Sequence, residues 1–218
     1  MELIKIILDF FVNLILPRLK EFIKAIIDYP DVFWTVLPLL IAAIGMQIYF
    51  GRNKEEDMGW NSAFGNSVSF TWVSANLLRY LFNTYSLIDF RSGIALEKLL
   101  ITLAFLIWGL YLMFGNLIHS IPKKIAFIIS ASYFINTLAI VVSIIVMSNL
   151  PFDRITTYAA AVLLILIMLF EFIVRILVNP SPEAAEYLRK KSIVAKSKRT
   201  KKIHKIERRI KDVFKKDL

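Results

Sequence analysis

Four apolar runs of bilayer length constrain this chain more than any other feature of its sequence. They are Val32–Phe50, Leu99–Ile118, Ile125–Ser148 and Thr157–Val178. Each run approaches or exceeds the roughly 20 residues that a helix needs to cross a hydrocarbon core about 30 Å thick. Lipid cannot solvate unpaired backbone groups, so segments of this kind must be helical. The sequence therefore predicts an all-α integral membrane protein.

A fifth predicted span, Asn61–Asn83, is amphipathic. At about 100° per residue, its small and polar side chains fall on one side of a helix. These residues are Asn61, Gly65, Ser69, Asn76, Arg79 and Asn83. Phe70, Leu77 and Leu81 fall on the other side. With this segment included, we predict a five-span bundle over residues 31–178. Its spans lie at about 32–50, 61–83, 97–118, 125–148 and 156–178.

Residues 1–30 form a separate unit. Polar residues recur mostly every three or four positions between Glu2 and Asp28, and the positions between them are largely Leu, Ile, Phe and Val. This pattern predicts an amphipathic helix with a wide apolar face, which lies in the membrane interface and bends at Pro17. A short sixth span, Leu3–Leu16, is the alternative interpretation.

The positive charge of the chain is concentrated after the last apolar run. Residues 189–218 hold 14 of the 27 basic residues and three of the 17 acidic ones, a net +11. The remaining 188 residues hold 13 basic and 14 acidic residues, a net −1. Because positive charge resists translocation, we expect residues 179–218 to form a basic cytoplasmic tail of a multi-pass cell-membrane protein.

Within this tail, Ile203, Ile206, Ile210 and Val213 recur at 3-4-3 spacing, which predicts a short basic amphipathic helix. The lipid bilayer and its anionic headgroups are its preferred partner. Self-association or a cytoplasmic protein partner is the second interpretation. Nucleic acid is the least favoured, since aromatic side chains that would stack on bases are scarce here. The candidate binding residues are Lys198, Arg199, Lys201, Lys202, Lys205, Arg208 and Arg209.

The polar face of the amphipathic span is the strongest candidate for function. In one interpretation, Asn66, Ser69, Asn76 and Arg79 line a pore or a substrate cavity, where polar groups are tolerated inside a membrane protein. In the other, small and polar residues on this face allow close helix packing and hydrogen bonds between helices. Both interpretations place the polar face away from lipid.

Two charge pairs are also predicted. Glu171 is the deepest acidic residue of the last span, and Arg175 follows it by four positions, in the order that favours an ion pair. A proton or cation site at Glu171 is the alternative. Arg79 and Glu97 fall near the same membrane face, so we expect them to pair across the short loop between their spans.

The sequence predicts no enzyme. It lacks cysteine, and its two histidines are not accompanied by metal-ligand spacing, so neither a metal site nor a cofactor is expected. Motifs for hydrolase or phosphate-binding sites are absent as well. Heavy use of Ile and Lys with no Cys is typical of an AT-rich prokaryotic genome.

For function, the sequence favours a channel or transporter-like protein. Two amphipathic segments exceed what a simple anchor needs, and five helices alone rarely enclose an aqueous path, so we expect a homo-oligomer. The alternative is a non-catalytic scaffold or assembly factor whose tail recruits a cytoplasmic partner or anionic lipid.

Overall fold

A computed structural model describes residues 2–56 and 58–194, and every regular element in these ranges is helical. The longer helices are α1 (Glu2–Phe10), α2 (Leu16–Asp28), α3 (Pro30–Arg52), α4 (Trp60–Thr84), α5 (Gly93–Leu117), α6 (Lys123–Ile129), α7 (Ser132–Met147) and α8 (Arg154–Leu177). A π-helical turn, Phe11–Ile15, joins α1 to α2, and a 3-10 turn, Asp89–Arg91, precedes α5. Residues 182–194 are also helical. The predicted all-α fold is confirmed for this part of the chain.

From α3 onward the chain crosses the bundle back and forth, so the bundle has two ends. At one end the Ser181 N–H donates to the Arg52 carbonyl over 2.8 Å, which places the last turn of α3 beside the segment after α8. At the other end, Lys98 near the start of α5 donates to the Ser148 carbonyl just after α7, over 2.5 Å. We call the first the tail end and the second the opposite end.

Three helices, α3, α5 and α8, are long and apolar enough to cross a membrane. The pair α6–α7 makes a fourth candidate when it is taken as one span. Its two helices meet at an angle of 42°, so the apolar run predicted to span the membrane at 125–148 is not one continuous helix: it breaks at Ser130 and Ala131. Helix α4 has 25 residues but is not apolar enough to be counted with the others.

Helix α7 is the centre of the bundle. Thirteen of its sixteen residues are buried, a pattern expected for a helix that is surrounded by others on all sides. It packs against α3, α4 and α8. Its side chains Ile140, Ile144 and Val146 join Val36 of α3 and Leu81 of α4 in the main apolar core. Helix α7 therefore positions α3, α4 and α8, and α5 packs mainly on α4.

The N-terminal segment packs on this bundle through one narrow face. Ile15, Leu19, Phe22 and Ala25 recur at 4-3-3 spacing and are buried, whereas most apolar side chains of α1 are exposed. Pro17 lies inside a helical segment that continues from α1 through the π-helical turn into α2, so its missing backbone N–H removes one hydrogen bond from the ladder. The backbone irregularity, the π-helical turn, comes just before this proline.

A charged contact anchors the segment to the bundle. Arg18 of α2 lies 3.1 Å from Asp153, the N-cap residue of α8. The Asp153 carboxylate also accepts a hydrogen bond from the Thr156 N–H over 2.6 Å. This backbone hydrogen bond is the main reason why the pKa of Asp153 is lowered, and the Arg18 charge lowers it further.

We predict that Asp153→Ala lowers the free energy of unfolding by about 1 kcal/mol at pH 7, because α8 loses its N-cap. The folded-state pKa of Asp153 lies below the unfolded value of 3.8, so its contribution is complete above that pH. The contribution is lost as the pH falls through the folded-state pKa. Unfolding of the purified chain in detergent at pH 7 and pH 3 measures both effects.

Asp28→Ala is the matched control for this experiment. Within residues 2–56 and 58–194, Asp28 forms one salt bridge, with Lys24 of the same helix at 3.7 Å, and none with a second element. Its loss should change the free energy of unfolding by a few tenths of a kcal/mol. Equal losses in the two variants would show that Asp153 does not cap α8.

Candidate functional site

The break between α6 and α7 leaves backbone groups that need partners inside the bundle. Ala131 is extended (φ −63°, ψ 138°), so the helical hydrogen-bond ladder is interrupted there. Asn66 of α4 reaches this point, and its Nδ2 donates to the Ser130 carbonyl over 2.8 Å. Irregular backbone at membrane depth is tolerated only where protein buries it or where it lines a cavity. Both conditions hold here, on opposite sides of the break.

On the packed side, a buried polar cluster joins α4 and α5 to the break. The Asn116 Nδ2 of α5 donates to the Ser67 and Ser130 hydroxyls, each over 2.8 Å. Ser67 in turn donates to the Ala63 carbonyl of its own helix over 2.8 Å. Fully buried hydrogen bonds of this kind fix one arrangement of helices, because a misplaced helix leaves polar groups without partners.

On the other side, two neighbouring cavities border the break. The smaller, about 150 Å³, reaches Ala131 and Ser132 at the start of α7. The larger, about 460 Å³, lies between α3, α7 and α8. Gln47, Tyr133 and Arg175 line both cavities, which therefore share one polar wall. Glu56 and Met58 also line the smaller cavity, which places it toward the tail end.

Glu171 of α8 lies behind this wall with only 1% of its surface exposed. Its carboxylate accepts hydrogen bonds from the Gln47 Nε2 at 3.2 Å and the Thr137 Oγ1 at 2.9 Å. Within residues 2–56 and 58–194 it forms no salt bridge. A buried carboxylate that is held only by neutral donors can take up a proton or a cation, and such groups in membrane helices are commonly functional.

The predicted ion pair between Glu171 and Arg175 is not formed. Glu171 turns inward to α3 and α7, whereas the Arg175 guanidinium lies over the Phe50 ring, 5.8 Å from its centre. The two charges still border the same region, because Arg175 lines both cavities and Gln47 connects them to the carboxylate. The alternative, a proton or cation site at Glu171, stays a prediction.

The structure separates the α4 residues that were predicted to line one cavity. Asn66 faces the interior at the helix break, but Ser69 is exposed and donates to the Gly65 carbonyl of its own helix over 3.1 Å. Asn76 and Arg79 border a shallow cleft of about 220 Å³ on the outer face of α4. The reason is that the apolar face of α4 is buried in the core, so most of the polar face points outward.

Arg79 and Glu97 do not pair either; both side chains are exposed, and no ion pair joins them in the part of the chain that the structure describes. Instead, the neighbouring Lys98 is buried and caps the C-terminal end of α7 through the Ser148 carbonyl. Tyr80 of α4 donates to the adjacent Met147 carbonyl over 3.2 Å. A cation is favourable at this position because of the helix dipole.

Sequence reasoning missed Lys98, Gln47, Thr137 and Asn116. Each is a polar residue within a predominantly apolar helix, and that interruption was the available signal. Among the described residues, no group of three or more His, Cys, Asp or Glu side chains is placed to hold a metal ion. The predicted tail site, residues 198–209, lies outside the described residues.

No protein-family model matches the chain, and neither the curated proteins nor the solved structures include a detectably similar one.

We predict that Asn66→Ala lowers the free energy of unfolding by about 1–3 kcal/mol, because the Ser130 carbonyl then lacks its donor in a buried site. Ser69→Ala is the control on the same helix, and it should cost less than about 0.5 kcal/mol because Ser69 is exposed. Thermal unfolding in detergent measures both. Equal stabilities of the two variants would contradict the role of Asn66 at the break.

Proposed function

We propose that the chain is a multi-pass cell-membrane protein of transporter type, whose solute site lies at the break between α6 and α7. The protein crosses the membrane five times in this proposal. Helices α3 and α5 are both candidate spans; α3 finishes at the tail end and α5 begins at the opposite end. Because α4 connects these two points, it must cross the membrane as well, despite its polar residues.

The main support for this function is a broken helix beside a buried carboxylate and two cavities that share one polar wall, although the rest of the larger cavity is lined by apolar side chains of α8. Broken spans place helix termini and free backbone groups at the solute sites of many membrane transporters. Here the N–H groups of Ser132 and Tyr133 precede the first hydrogen bonds of α7, which the Phe134 and Ile135 N–H groups donate to the Ala131 carbonyl, and Ser132 and Tyr133 border the cavities. Together with Arg175, these groups favour an anionic group of the solute, while Gln47 and Glu171 favour a cation or proton. The expected solute is small, polar and charged.

Protonation of Glu171 supplies a means of coupling. A charged Glu171 favours a cation in the adjacent cavity, and a neutral Glu171 does not. Transport of the solute and of a proton or cation would then depend on one another through Gln47. The chain's own residues provide this chemistry, so we propose neither an enzyme activity nor a cofactor.

The same proposal assigns an orientation. The tail end carries Arg52, Lys54, Lys123 and Lys124, and the chain continues from it into the segment 189–218 with a net charge of +11. Fewer basic residues, among them Arg18, Arg91 and Arg154, lie toward the opposite end, so the distribution favours a cytoplasmic tail end. The basic tail then faces the anionic inner leaflet and can bind lipid headgroups or a cytoplasmic protein. The cavities lie toward this end, so the site takes its solute from, or releases it to, the cytoplasm.

A scaffold is the second candidate, and a different observation favours it. Most of the polar face of α4 points away from the bundle, as expected of a surface that binds another protein rather than a solute. In this case the cavities at the break would be closed to water.

Water access to the break distinguishes the two functions, and the absence of cysteine makes it measurable. We predict that Ser132→Cys in membrane vesicles reacts with a membrane-impermeant thiol reagent added to the cytoplasmic face, because the 6% of Ser132 that is exposed borders the cavity. Ser143→Cys is the control: it changes the same residue type, deeper in α7, where the side chain is fully buried, and it should not react.

A solute that slows the labelling of Ser132→Cys without affecting labelling in detergent-denatured protein would identify the substrate class. If Ser132→Cys stays unlabelled in the membrane but reacts after denaturation, the cavity is closed to water. That result would contradict the transporter proposal and favour the scaffold.

A further inference from the structure

The outward face of α4 carries a regular row of residues. They occur at 4-3-4-3-4 spacing, which is the spacing of the contact positions in paired helices that coil around each other. The row, here called the α4 seam, consists of Gly65, Ser69, Trp72, Asn76, Arg79 and Asn83. All are exposed except Asn76, which is half-buried, and Trp72 is 75% exposed. The spacing extends over most of the length of α4.

Lipid is a poor neighbour for this seam. An amide or a guanidinium that faces hydrocarbon is costly, and such groups in membrane helices normally meet a partner. Trp72 is twelve residues from both ends of α4, so about 18 Å of helix separates it from either membrane surface. Lipid headgroups do not reach that depth. The seam therefore needs a protein neighbour along the span.

The shape of the seam fits another helix. A Cβ atom added at Gly65 would meet no atom within 4 Å, so the surface beside it is open. Gly65 and Ser69 are four residues apart, and small residues at this spacing allow two helix backbones to approach closely. Farther along, the cleft of about 220 Å³ beside Trp72, Asn76 and Arg79 can receive a side chain.

The charges identify the neighbour as a second copy of this chain. Arg79 lies five residues before the end of α4, and Glu97 lies four residues after the start of α5, so both are about 6–8 Å from the same end of the bundle. Both are exposed, and they form no salt bridge within the described residues. A twofold axis along the membrane normal keeps the two charges at the same depth.

We propose that α4 is the interface of a parallel homodimer, in which Arg79 of each copy pairs with Glu97 of the other. The seam residues pack around the twofold axis, and the two ion pairs lie on either side of it. The proposal rests on α4 crossing the membrane, as proposed above, but it does not depend on the solute site at the helix break.

Disulfide cross-linking in membranes tests the interface directly, since the natural chain has no cysteine. Ser69→Cys should give a disulfide-linked dimer on mild oxidation, because Ser69 lies in the seam. Ser74→Cys is the control on the same helix: Ser74 is buried on the opposite face and should give none. Monomer from both variants, or equal dimer from both, would overturn the proposal.

A charge exchange tests the pairing. Arg79→Glu and Glu97→Arg each place like charges together, so each should raise the dissociation constant of the dimer about tenfold. The double variant restores opposite charges and should recover most of the natural affinity. Equal or additive weakening in the double variant would show that the pair does not form between copies.

Labelling of Ser69→Cys distinguishes two reasons why no dimer might form: α4 faces something other than a second copy, or α4 does not cross the membrane. If Ser69→Cys gives no dimer and is also unreactive toward the impermeant reagent, α4 is embedded but faces something other than a second copy. If it gives no dimer and reacts freely with that reagent, α4 does not cross the membrane. Either result overturns the dimer, while labelling of Ser132→Cys still tests the solute site independently.

Discussion

The hydrogen bonds that close the helix break at Ser130 support the rest of this structure. A helix buried on all sides cannot interrupt its backbone ladder without a donor for the freed carbonyl, and Asn66 supplies that donor over 2.8 Å. Asn116 adds two hydrogen bonds of 2.8 Å to side-chain hydroxyls at the same point. Because these donors come from α4 and α5, the break fixes how both helices pack against α6 and α7.

This constraint determines which surfaces of the bundle remain available. Helix α4 must direct Asn66 and its apolar residues inward, so most of its polar row faces outward, where we propose a second copy. On the other side of the break, the cavities lie beside Ser132 and Tyr133. Glu171 reaches the polar wall of these cavities through Gln47. The proposed solute site and the proposed dimer interface thus lie on opposite sides of the helix break between α6 and α7.

Hydrophobic length predicted a helix at residues 32–50, which corresponds to Pro30–Arg52, and amphipathic spacing predicted one at 61–83, which corresponds to Trp60–Thr84. The break at Ser130 was not predictable, since serine is common in membrane helices and its donor lies 64 residues away. Helical spacing predicted that the polar residues of α4 share one side of the helix. It did not predict whether that side faces the interior of the bundle or its outside. The partners of Glu171 lie on other helices, 124 and 34 residues away in sequence, so an i+4 rule selected Arg175 instead.

Amide hydrogen exchange along residues 123–147 of the full chain in a lipid nanodisc measures whether the helix is broken at Ser130 and Ala131. The N–H groups of Ser132 and Tyr133 lack intrahelical partners, and both residues border the cavities. We therefore expect fast exchange at Ser132 and Tyr133. We expect slow exchange from residue 139 to residue 146, in the buried part of α7. Uniformly slow exchange across residues 125–148 would indicate an unbroken span and would contradict both the helix break at Ser130 and the solute site proposed beside it.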